Sequence, residues 1–182
     1  MALAEIGFSD KDVYKIDLDP RAWILWGRAV RYKGTLLTAK PEVHITVVNK
    51  DLGAELERLV AACPEAQARI EQALRDTGWP QDDPAYSRGR LYHVAKDKEQ
   101  EDDQGRPIAL HAESIVQRVR VPGIEAFYAT LGEIVGRTIE IPPTHVTLYV
   151  TGDPQGIGLQ TERAFGCFAQ GEVSPEELVR IE

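Results

Sequence analysis

Glu42-Val43-His44-Ile45-Thr46-Val47-Val48 reads as a strand, and about a hundred residues later Thr144-His145-Val146-Thr147-Leu148-Tyr149-Val150 repeats its pattern. Each is a β-branched, apolar run interrupted by one His and, two residues on, one Thr. Successive strand side chains point to opposite faces. His44 therefore projects with Thr46, and His145 with Thr147, while Ile45, Val47, Val146 and Leu148 point into a core. An imidazole beside a hydroxyl is costly to bury unless both find partners. Two such strands in one chain point to a single site built from both. Tyr149 lies two beyond Thr147 and faces the same way while the strand stays regular, which makes it a candidate to stack on a base or bond a phosphate.

Phosphodiester cleavage needs a proton taken from the attacking oxygen and one supplied to the leaving oxygen. Histidine suits both tasks because its ordinary pKa of about 6.5 lies near working pH. Two threonine hydroxyls can hydrogen-bond the non-bridging oxygens as charge develops there. The scheme uses no metal and no cofactor. His93 and His111 stand isolated, and no Cys-x-x-Cys or His-Glu-x-x-His occurs. The plainer reading of one such strand is a core histidine beside a good strand-forming threonine. Repetition in two of only four histidines favours a site. Which histidine is the base stays open at this level.

The paired motifs His44-Ile-Thr46 and His145-Val-Thr147 resemble those of the 2H phosphoesterase superfamily, which includes cyclic nucleotide phosphodiesterases, RNA 2',5'-ligase-like proteins and RNA-end processing enzymes. The resemblance spans most of the chain, one motif per half. Residues 143–158 also resemble the 2H modules of the Swiss Army Knife RNA-repair group. The resemblance implies an α+β fold with two antiparallel sheets, outer helices and two pseudo-symmetric lobes around a central groove, all in one domain over 1–182. It implies a metal-independent hydrolase of a nucleotide-type phosphodiester: a 2',3'-cyclic phosphate at an RNA end, a 2',5'-linkage or a small cyclic nucleotide. The alternative is a non-catalytic nucleotide- or RNA-binding module using the same groove.

The rest of the chain sets bounds. Its 182 residues, 43% hydrophobic and 27% charged, suit an ordinary globular protein. Net charge of −8 argues against broad binding to a polyanion, so the expected partner is a small nucleotide or an RNA end. No apolar run approaches a membrane span. Cys63 and Cys167 lack metal-like spacing and read as reduced cytoplasmic thiols. The first twenty residues are charged and carry no signal-peptide pattern. Oligomeric state stays open.

Residues 22–31 read as a strand, made locally basic by Arg28, Arg31 and Lys33. Residues 51–62, with Asp51 as N-cap, and 65–77, ending at Gly78, have helical spacing. Residues 79–87 read as a loop, 88–95 as a strand, and 96–107 as an exposed charged connection. Residues 108–121 follow as a strand, 122–135 as a helix and 138–141 as a short strand. The glycines of 151–158 read as turn residues. Residues 159–170 read as helical, and Ser174-Pro175-Glu176-Glu177 as the start of a last helix. Trp79, Tyr86 and Tyr92 are further stacking candidates, and Arg88, Arg90, Arg118 and Arg120 are candidate phosphate contacts or, more simply, ion-pair partners.

Overall fold

Alternation of apolar and polar residues produces the first strand. The computed structural model describes residues 2–9, 11–79, 86–101, 104 and 106–181. After a 3-10 turn at Ala2–Ile6 comes β1 (Tyr14–Leu18), with Ile16 and Leu18 buried and Lys15 and Asp17 exposed. This strand falls in the stretch read only as charged. Its alternation is five residues long and easily lost among the flanking charges. Asp19 caps α1 (Pro20–Trp23) by accepting from the Arg21 N–H at 3.0 Å. The strand expected over 22–31 therefore shrinks to β2 (Ala29–Tyr32), followed by β3 (Thr35–Ala39) and β4 (Val43–Val48).

Two helices then pack side by side, α2 (Lys50–Ala62) and α3 (Glu65–Thr77). Asn49, rather than Asp51, caps α2: its side chain accepts from the Asp51 and Leu52 N–H groups at 3.1 and 3.0 Å. The loop expected over 79–87 lies largely outside the described residues. β5 (Ser87–Glu101) and β6 (Pro107–Arg120) form a long antiparallel ribbon, so most of the charged connection is strand. Its backbone groups are satisfied by the partner strand whatever the side chains are. Then come α4 (Ile124–Val135), coil over 138–141 where a short strand was expected, and β7 (His145–Thr151). The tail holds α5 (Glu162–Phe168), β8 (Ala169–Val173) and β9 (Val179–Ile181). The capping box of Ser174 and Glu177 does form, but it starts only a 3-10 turn at Pro175–Glu177, because the next residues pair with β2.

Among the described residues the fold is α+β, with five α-helices and an antiparallel sheet of nine strands. Where two sheets were expected, the nine strands join into one that forks at β7. One edge of β7 runs along β6. Its other edge is shared: β3 pairs with the C-terminal end at Val150 and Tyr149, and β4 with the N-terminal end at Val146. One branch continues β3–β2–β9, the other β4–β1. Helices α2, α3 and α4 cover one face, where Leu56, Ile70 and Phe127 join Ile45, Val146 and Ile115 in the main core. On the other face α5 and the 157–159 loop bury a smaller cluster of Val94, Val116, Ile157, Leu159 and Phe165.

Gly53, in the first turn of α2, locks that helix to the chain before β1. A Cβ at this position would lie 1.6 Å from the Asp12 carbonyl oxygen. Alanine is the better helix former by about 0.8–1.0 kcal/mol, yet here it would force two backbone segments apart. Gly53→Ala is expected to destabilise the protein by about 1–3 kcal/mol; a urea midpoint equal to or above wild type would show that the contact gives way freely.

Candidate active site

The two His-Thr strands are neighbours. β4 and β7 meet antiparallel with Ile45 opposite Val146, both fully buried. Carried one residue either way, that register sets His44 opposite Thr147 and Thr46 opposite His145. A local two-fold axis through the Ile45–Val146 pair therefore carries His44 onto His145 and Thr46 onto Thr147. All four side chains are half-buried on the other face, where they line one cavity of about 510 Å³. Diagonal neighbours in such a pair stand roughly 7–8 Å apart, which leaves room for one tetrahedral group between the imidazoles. Neither threonine hydroxyl, nor either nitrogen of His44, bonds to another described residue.

The two histidines differ in how they are held. His145 Nδ1 lies 2.6 Å from the Pro143 carbonyl oxygen. A carbonyl only accepts, so Nδ1 carries the proton and, in the neutral ring, Nε2 keeps a free lone pair. Burial lowers the His145 pKa; the Pro143 bond opposes that shift and Arg118 adds to it. Burial also lowers His44, to about 4, helped by Lys15 and Lys40. Both rings are thus neutral near pH 7 in the free groove. Lys40 donates to the Pro154 carbonyl at 2.8 Å, and its own pKa is lowered by burial and by Lys15.

Lys15 and Lys40 are the functional candidates that the sequence reading missed. β1 pairs with β4 so that Lys15 stands opposite Thr46 and Asp17 opposite His44. The alternation of Tyr14-Lys15-Ile16-Asp17-Leu18 is the signal that identifies the strand, but its register on β4 is non-local. Lys40 reaches the groove because its N–H bonds to the Leu148 carbonyl at 2.9 Å. Residues 155–160 form the opposite wall, contributing Gln155, Ile157, Leu159 and Gln160. Lys98 pins that loop through Asp153 and the Gly156 carbonyl. Gly152 is a turn residue as expected, with φ of 76° and no room for a Cβ beside the His111 carbonyl.

Tyr149 is not in the groove. Val116 pairs with Thr147 and Ile115 with Tyr149, leaving Leu148 as the extra residue of a β-bulge. The bulge breaks strict alternation, so Leu148 and Tyr149 both turn to the core. The Tyr149 hydroxyl accepts from the Trp26 N–H at 3.2 Å and donates to the Gly27 carbonyl at 3.0 Å. Trp79, Tyr86 and Tyr92 pack in the two cores. Arg90 pairs with Glu172, Arg118 pairs with Glu162 over the Phe165 ring, and Arg88 lies over Trp23. Arg28, Arg31, Lys33 and Arg120 do not line the groove.

A second cavity of about 540 Å³ beside α4 holds no histidine, and its Glu133 and Arg137 are paired with Arg69 and Glu55. Among the described residues no group of three or more His, Cys, Asp or Glu side chains is placed to hold a metal ion. Cys63 and Cys167 are both free thiols. No described helix is long and apolar enough to cross a membrane. Comparison with protein-family models, with curated proteins and with solved structures finds no match.

Three measurements test these assignments. The His44 ring protons should titrate near pH 4 by NMR, and inorganic phosphate should move that midpoint upward by offsetting the lysine field. A midpoint near 6.5 would contradict a desolvated ring. Because the unfolded chain takes up this proton first, His44 should lower stability as pH falls from about 6.5 towards 4. Tyr149→Phe should cost about 1–3 kcal/mol in unfolding by urea, through the buried Trp26 and Gly27 groups it leaves unpaired.

Proposed function

We propose that this protein is a metal-independent phosphoesterase of the 2H type, acting on a nucleotide-type phosphodiester such as a 2',3'-cyclic phosphate, a 2',5'-linkage or a small cyclic nucleotide. The observation that carries this reading is the antiparallel joint at Ile45–Val146, which gathers both His-Thr pairs in one groove. On this reading the forked sheet forms the two lobes of a 2H fold, related by the local two-fold axis.

A phosphate between the imidazoles meets Thr46 and Thr147 as hydrogen-bond donors and Lys15 and Lys40 as counter-charges. Its charge offsets the field of Lys15 and Lys40, which adds to burial in depressing His44, so the anion itself raises the proton affinity of the acid. His145, with its proton fixed on Nδ1 by Pro143, presents Nε2 as the base that takes a proton from water. His44 returns a proton to the departing oxygen. Reversal exchanges the two roles.

Phosphorus NMR in chelator, on 2',3'-cyclic mononucleotides, 2',5'- and 3',5'-linked dinucleotides and cyclic dinucleotides, tests the reading. His44→Ala and His145→Ala should each lower turnover by about 10²–10⁴-fold, with circular dichroism unchanged. Wild-type rates in either variant would remove the two-histidine mechanism. Binding of these ligands without any product would instead favour a nucleotide-binding module.

A further inference from the structure

The charge of the groove runs against that of the chain. Net charge is −8, yet four of the seven lysines, Lys11, Lys15, Lys40 and Lys50, line this one cavity, with Glu42 as its sole carboxylate among the described residues. Two of the four, Lys15 and Lys40, act on His44. The other two stand elsewhere. Because β1 and β4 are antiparallel, with Tyr14 opposite Val48, the residues before β1 and after β4 emerge at the same end. Lys11 precedes β1 and Lys50 opens α2, so both lie beyond Thr46 at that end. The close approach of Gly53 to the Asp12 backbone holds the two segments that carry them together, and both lysines line the same cavity. Lys11 and Lys50 are exposed and form no ion pair with a described residue.

We infer that the Lys11–Lys50 end is a second anion subsite, and that the substrate carries a terminal phosphomonoester besides the phosphodiester held between the histidines. This rests on the phosphoesterase reading for the identity of the first phosphate only. Lys50 lies four residues beyond Thr46, and Lys11 four before Lys15, the residue opposite Thr46; that is at most about 13 Å at strand rise, a gap that a single nucleotide closes together with two flexible lysine side chains. Two ammonium groups match the double charge of a monoester. Lysine acts as a point charge and does not demand the fork geometry of arginine, and none of the fourteen arginines lines the cavity. No Phe, Tyr or Trp is among the described lining residues, so the groove offers no platform for the next base of a continuing strand. That favours a terminal phosphate over an internal one.

The test is equilibrium binding, by calorimetry at low salt, of adenosine 3'-phosphate, adenosine 3',5'-bisphosphate and the dinucleotide adenylyl-(3',5')-adenosine 3'-phosphate. The bisphosphate should bind about tenfold more tightly than the monophosphate, the order of effect for two close charges at a partly exposed site. That ratio should fall to near one in Lys11→Met, Lys50→Met and persist in Lys33→Met, which removes the same kind of charge outside the groove. Equal affinities in the wild-type protein, an advantage that survives the double variant, or a dinucleotide that gains as much as the bisphosphate would each overturn the inference. The binding advantage does not depend on turnover. Advantage without product would keep the subsite and remove the esterase; product without advantage would do the reverse.

Discussion

One strand contact, Ile45 against Val146, sets the geometry on which the site depends. Its core face is the sealed side: both residues are fully buried and packed with helices α2, α3 and α4 behind them. Its other face receives whatever flanks the pair by one residue, and that is a histidine and a threonine on each strand. A slip of one residue in either strand would send the imidazoles into the core and the aliphatic side chains into the groove. The hydrophobic face therefore fixes the register, and the register aligns the polar face. Packing and chemistry are specified by the same alternation.

Electrostatics adds a second constraint. An acidic chain collects lysines at one concave surface, and desolvation there lowers the proton affinity of both imidazoles. The groove thus disfavours protonated imidazole while presenting positive charge from its lysines. The threonine hydroxyls and the His44 ring, unbonded to other described residues, are tolerated because they are only half-buried and so within reach of solvent.

What could be read from the sequence was local and periodic. The His-Thr alternation, helices α2 and α3, α4, and the β5–β6 ribbon core all show as short repeats of 2 or 3.6 residues. Tyr149 was misread because alternation was extended through Leu148, and a bulge leaves no mark on hydrophobic pattern alone. Lys15 and Lys40 were missed because their place in the groove comes from pairing across strands, through Thr46 and through the Leu148 carbonyl. For the charged ribbon composition predicts only solvent exposure, and a two-stranded ribbon can be exposed and regular at once. The last helix failed for a tertiary reason: its start signal was sound, but β2 had an open edge for the residues that followed.

The local two-fold axis has a consequence of its own. A joint that superposes each half-motif on the other has the form of an isologous interface, the kind by which identical subunits associate, here closed within one chain. Whatever lies on such an axis is shared equally, and direction can be encoded only by what lies off it. Several described features of this groove are off-axis, among them the Pro143 carbonyl behind one imidazole alone, Lys40 held on the Leu148 carbonyl, and the lysine end beyond Thr46. The centre of the groove has no direction of its own; these groups make the cleft one-handed.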